Sequence, residues 1–202
     1  MNKKIVFASL VVSALFGSSL KADAFYVGAS VGESKTKVKF DDISVNGDGK
    51  TAFSVYSGME IPLPLIPIRA EVEYLQLDSD KDGWGEAKTY CVGANAYVGL
   101  PLLPIIKPYV GMGLGYMKQD LKIPYIDEDS LLVVGTEKLK SDWTVVPQYM
   151  LGLDVSLPLI PIAGGVEYRY LDTKFKGFPD YDGDFSAKSK IHTFLVKARV
   201  KF

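Results

Sequence analysis

Three groups of residues in this sequence have the types and spacing that chemistry requires. The first is Asp78-Ser79-Asp80-Lys81-Asp82-Gly83, where carboxylates at alternate positions followed by glycine match the opening of a loop that wraps a calcium ion. Trp84 would lend a carbonyl and Glu86 a ninth-position ligand, so Asp78, Asp80, Asp82 and Glu86 are the candidate metal ligands. Against this, the twelfth position is Thr89 rather than a bidentate glutamate, and an ordinary solvated Asp/Gly turn accounts for the same residues. Asp180, Asp182 and Asp184, with Gly183, repeat the pattern more loosely. The second group is the single histidine, His192. A nucleophilic triad needs a base within reach of a nucleophile, and no such pair can be pointed to here, so no catalytic residue and no organic cofactor is expected. The third group is a set of charges at alternate positions: Glu60; Arg69, Glu71 and Glu73; Asp154; Glu167 and Arg169; Lys197, Arg199 and Lys201. Every-second spacing puts them on one face of extended strands.

The elements that must carry these charges are legible as alternation. At the C-terminal end Phe194, Val196, Ala198, Val200 and Phe202 are apolar, with Lys197, Arg199 and Lys201 between them. The same period of two runs from Phe25 to Gly32, from Phe53 to Glu60, from Ile68 to Tyr74, from Val92 to Val98, from Val110 to Tyr116, from Trp143 to Val155 and from Val166 to Tyr170. With the last strand this predicts eight. One such strand also suits a soluble sheet with one wet face; eight in succession point to a closed barrel. The ten charges share the face opposite the apolar set, five acids against five bases, and would face the lumen. Unpaired buried charge is costly, so equal numbers predict an internal ion-pair network; a gated ion path is the functional alternative. The aromatics Tyr74, Tyr116, Trp143, Tyr149, Tyr168, Tyr170, Phe194 and Phe202 fall on the apolar face and suit the girdles at a lipid–water interface.

Connections alternate as well. Pro62-Leu63-Pro64-Leu65-Ile66-Pro67, Pro101-Leu102-Leu103-Pro104-Ile105-Ile106 and Pro158-Leu159-Ile160-Pro161 are variants of one short turn, and proline ends pairing by withholding a donor. The other four, near residues 40–50, 78–86, 120–140 and 175–187, are longer and rich in Asp, Gly and Lys. Short turns at one end and long polar loops at the other are the asymmetry of an outer-membrane barrel.

Ahead of the first strand, Lys3 and Lys4 precede an apolar run of 12 residues from Ile5 to Phe16 and then Ala22-Asp23-Ala24. That is the build of a secretory signal peptide, and the run is shorter than the roughly 20 residues a spanning helix needs. Residues 1–24 are therefore expected to be a cleaved leader and 25–202 one domain. The remaining 178 residues carry 20 basic and 23 acidic side chains, a formal charge of −3, which offers nothing to nucleic acid. Cys91 is the only cysteine, so no intramolecular disulfide can form.

The leader, the opening Phe25-Tyr26-Val27-Gly28, the glycine-alternating strand from Tyr109 to Tyr116 and the final strand ending in Phe202 together resemble the small OmpA-like and opacity-protein-like outer-membrane barrels, over the whole mature length. The resemblance implies a single up-and-down, eight-stranded antiparallel transmembrane barrel in the outer membrane of a Gram-negative-type cell. It implies a monomer held in outer-membrane lipid. Phe194, Val196, Ala198, Val200 and Phe202 would form the C-terminal signal read by the barrel-assembly machinery. Some relatives are outer-membrane deacylases with a serine two residues after the histidine, a place taken here by Phe194. The expected function is non-enzymatic: a structural, surface-exposed barrel whose long loops contact a ligand or a host or neighbouring cell. The alternative is a narrow ion-conducting pore.

Overall fold

Strands whose two faces differ in polarity must put one face in each environment, and in lipid every backbone N–H and C=O must also find a partner. The computed structural model describes residues 25–40, 43–47, 49–61, 66–81, 85–100, 105–126, 133–156, 160–176 and 186–202. The expected leader lies outside them. Every described element is a strand: β1 (Phe25–Phe40), β2 (Ile43–Gly47), β3 (Gly49–Ile61), β4 (Ile68–Lys81), β5 (Gly85–Gly99), β6 (Ile106–Ile126), β7 (Val133–Lys140), β8 (Thr144–Ser156), β9 (Ile162–Lys176) and β10 (Ser186–Lys201). Eight of them, β1, β3, β4, β5, β6, β8, β9 and β10, pair antiparallel in that order, and β10 pairs back onto β1 from Tyr26↔Lys201 to Lys39↔Lys188. The sheet is thereby closed and has no edge within the membrane.

β2 and β7 belong to segments that composition marks as irregular loops. They extend the ladder instead: β2 pairs with residues 36–40 of β1, and β7 pairs with the far end of β6. Once the barrel has set the register, each further cross-strand pair adds to a ladder already formed, and a wet hairpin needs no apolar face. Polar composition therefore hides these strands.

The alternation read from the sequence is realised around the wall. Outward side chains are apolar and exposed, with Met112 at 66%, Leu114 at 62% and Val145 at 62%, whereas inward ones such as Tyr97 and Leu171 are at 0%. The lumen is layered in a way the charge pattern did not announce. Toward the end that bears the short connections it is polar and aromatic. Toward the loop end an apolar cluster that includes Leu75, Leu77, Met117, Val146, Leu171 and Ile191 fills it, joined by the buried hydroxyls of Ser34, Thr89, Thr173, Ser189 and Thr193. These inward residues follow the charges on their own strands, as Leu75 and Leu77 follow Glu73 on β4 and Leu171 follows Arg169 on β9.

Four inward tyrosines fill space that glycines leave. β1 and β3 meet through Tyr26↔Gly58 and Gly28↔Tyr56, and β5 and β6 meet through Tyr97↔Gly111 and Gly99↔Tyr109. Each reciprocal pair brings two rings edge to face, with centroids 6.4 Å apart for Tyr26–Tyr56 and 5.4 Å for Tyr97–Tyr109. A Cβ on Gly111 would lie 2.5 Å from Tyr97 Cδ1, whereas the nearest atom to a Cβ on Gly164 is the Lys197 carbonyl oxygen at 3.7 Å. Gly111→Val is therefore expected to lower stability by about 1–3 kcal/mol through overpacking, and Gly164→Ala to stay within about 0.5 kcal/mol. Urea titration in phospholipid vesicles, read by the gel shift between boiled and unboiled barrel, checks both.

Candidate functional site

Successive inward positions bring the ten charges into the lumen: Arg69, Glu71 and Glu73 from β4, Glu167 and Arg169 from β9, Lys197, Arg199 and Lys201 from β10, Asp154 from β8 and Glu60 from β3. They form two linked clusters. In the deeper one, Arg169 spans Glu73 through Nη1 and Glu167 through Nη2, both at 2.6 Å, and Lys197 Nζ reaches Glu71 at 3.2 Å and Glu167 at 3.0 Å. In the other, nearer the short connections, Asp154 takes Arg69 at 2.7 Å and Arg199 at 3.2 Å. Arg199 and Lys201 share Glu60 at 3.3 and 2.7 Å.

The deep cluster holds three carboxylates and two cations, a formal −1, and the outer one two carboxylates and three cations, +1. Balance is struck only between the two, and tyrosines stand at their boundary. Tyr26 donates to Glu71 at 2.9 Å while Arg199 lies over its ring. Tyr109 donates to Glu167 at 3.0 Å while Arg69 lies over its ring, 4.6 Å from the centroid. Lys197 Nζ sits 4.4 Å from the Tyr56 centroid. Arg69, Lys197 and Arg199 thus meet carboxylates on one side and a ring face on another, which suits a desolvated charge. Neutral amides complete the deep cluster, since Asn95 donates to Glu73 at 2.9 Å and Arg169 donates to Gln148 at 3.1 Å.

The tyrosines, Asn95 and Gln148 are site residues that a reading confined to charges misses. A signal for the tyrosines is present in the sequence as Tyr-x-Gly at Tyr26, Tyr56, Tyr97 and Tyr109. Antiparallel pairing of two such triplets sets each ring over the other strand's glycine.

The remaining candidates are dispersed. Asp78 is on β4, accepts from Gln76 Nε2 at 3.1 Å and stands across from Lys88. Asp80 faces Glu86 in the register of the β4–β5 hairpin, and Asp82 lies outside the described residues. Among the described residues no group of three or more His, Cys, Asp or Glu side chains is arranged to hold a metal ion. His192 is on the outer wall, its Nδ1 2.6 Å from the Tyr168 hydroxyl, with Tyr170 beside it. Cys91 is buried in the apolar part of the lumen. Phe194, Val196, Val200 and Phe202 are exposed at 54%, 53%, 39% and 61% on the outer face, with Ala198 among them. Of the girdle aromatics, Tyr116 stacks on Trp143 at 4.9 Å and Tyr149 on Tyr170 at 6.5 Å.

The fully buried Arg169 and the part-exposed Glu60 should respond differently to substitution. Arg169→Met takes from Glu73 its one cation and from Glu167 one of two, and is expected to cost about 3–5 kcal/mol. Glu60→Gln, at a position 26% exposed, is expected to cost less than about 1 kcal/mol. Urea midpoints in phospholipid vesicles distinguish the two; equal losses would mean that the deep cluster has no special weight.

The chain matches the Outer membrane protein beta-barrel domain family over residues 7–202. No curated protein matches it. Among solved structures, Neisserial surface protein A is similar at a TM-score of 0.63 and 18% identity, covering 88% of this chain and 97% of that one. Ail, the attachment invasion locus protein of Yersinia pestis, is similar at 0.50 and 13%, covering 89% and 99%. At such identities the likeness is one of fold, a small closed barrel. With the family match extending over nearly the whole sequence, the chain belongs to the outer-membrane β-barrel domain family, and its place is the outer membrane.

Proposed function

We propose that this protein is a non-enzymatic, monomeric surface barrel whose specific contacts, with a ligand or with a host or neighbouring cell, are made by the long loops at the end opposite its termini. The observation that carries this reading is the filled lumen. Eight strands enclose an interior that side chains can occupy completely, and here the two ion clusters occupy one part, and an apolar cluster with buried Ser and Thr side chains the part toward the loops. A solute crossing the barrel would have to part Arg169 from two carboxylates and then displace aliphatic side chains. The named attachment role of Ail supports loop-borne contact by fold analogy only. The leader at 1–24 and the outward series ending in Phe202 fit export followed by recognition by the barrel-assembly machinery.

Two measurements test this. In a planar bilayer the purified protein is expected to give no discrete conductance steps; steps that change with Arg169→Met would instead establish the narrow pore. Shortening the segments near 120–140 and 175–187 is expected to leave the heat-dependent gel shift intact while lowering attachment of expressing cells to a test surface. If attachment and envelope integrity both stay unchanged, the loops are not the working part.

A further inference from the structure

We propose that the outer wall at the β1–β10 seam is a binding surface for the phosphate groups of an anionic lipid in the leaflet around the loop end. Along both strands the outward side chains change character in the same order. On β10 they run Val200, Ala198, Val196, Phe194, His192, Lys190, Lys188, and on β1 Val27, Ala29, Val31, Glu33, Lys35, Lys37. The register aligns the steps, pairing Val31 with Val196, Lys35 with His192 and Lys37 with Lys190. Hydrocarbon-facing residues thus give way to an amphipathic step and then to ammonium groups, the order in which a lipid presents acyl chains and then headgroup.

The four lysines are exposed, and among the described residues none has an ion-pair partner. Two outward carboxylates share this face: Glu33, and Asp172, which stands across from Lys190 and accepts from the Tyr170 hydroxyl at 3.4 Å. Cations remain in excess, four to two. The opposite wall is built otherwise, for there Lys88 and Lys118 are matched by Asp78 and Asp120, with Lys88 between the two acids in register, so no excess of cations remains. Basic residues beside an apolar membrane-facing surface attract anionic headgroups, and lysine binds phosphate as a mobile point charge. Below Lys35 an open groove of about 490 Å³ runs past Gly32, Glu33 and Phe194, flanked by the Tyr168–His192 hydrogen bond, and Glu33 is the one carboxylate that lines it. It gives one lipid a place to lie, with polar hydrogen-bonding groups at headgroup depth and phenylalanine below.

The inference rests on the barrel being membrane-embedded and is independent of what the loops contact or which end faces out, because a nanodisc presents the lipid in both leaflets. The probe is bis-phosphorylated lipid A at low mole fraction in phosphatidylcholine nanodiscs, with retained lipid counted by native mass spectrometry after extraction. Wild-type protein is expected to retain lipid A, and K35Q/K37Q/K188Q/K190Q to retain at least about tenfold less, with retention falling as salt is raised. The K88Q/K118Q control is expected to behave as wild type. Should the fourfold variant lack the heat-dependent shift of a folded barrel, K37Q/K190Q carries the same expectation at smaller size. Equal retention by seam and control variants, equal retention of dephosphorylated lipid A, or displacement by equimolar inorganic phosphate would each overturn the proposal.

Discussion

Closure with eight strands constrains everything inside. A ring that small leaves no water-filled bore, so inward positions are filled by side chains and the buried charges find their counter-charges within the protein. Glycines make this possible. Glu71 stands across from Gly58, Glu73 from Gly93, Glu167 from Gly152 and Lys197 from Gly165, so that long side chains extend over neighbours that have none. Large-against-small pairing of this kind fills a narrow cylinder from two sides without collision, and the Tyr-x-Gly pairs apply it to rings.

Charge in such an interior is favourable only as a set. Taking a carboxylate out of water costs several kcal/mol, and a single partner rarely compensates. Here the compensation is distributed: Glu167 receives Arg169, Lys197 and Tyr109, and Asp154 receives Arg69 and Arg199. The opposite formal charges of the two clusters bind them electrostatically, and the rings of Tyr26 and Tyr109 serve both at once. An aliphatic filling would seal the bore equally well. What ion pairing adds is a condition on register, because a strand displaced by one residue turns its charges toward lipid.

How far the sequence discloses this depends on which interaction is asked about. Wall strands are legible because the lipid and lumen faces differ so strongly in polarity, and that same parity assigns all ten charges to the inside. Which acid meets which base is not legible, since Arg169 finds Glu73 from 96 residues away and the contact exists only after closure. The apolar upper lumen is hidden by a different cause: on β4 Leu75 and Leu77 neighbour Tyr74 and Gln76, so the alternation fades where both faces carry mixed residues. β2 and β7 are concealed by polarity, which in a hairpin standing in water says nothing against a strand.

The deep cluster also has a meaning in time. Its partners come from β4, β5, β8, β9 and β10, and the pair between Lys197 and Glu71 spans 126 residues. No run of early hairpins contains a complete set. While the chain is still an open sheet, Glu71 and Glu73 have no cation and must stay hydrated, and their water can leave only when the last two strands swing in. Arrival of β10 is therefore both the closing of the ring and the drying of its interior, and the reverse route out of the native state begins by rewetting those carboxylates. A step with so many simultaneous losses makes a high barrier, which gives persistence to a protein whose contacts are mostly distant in sequence.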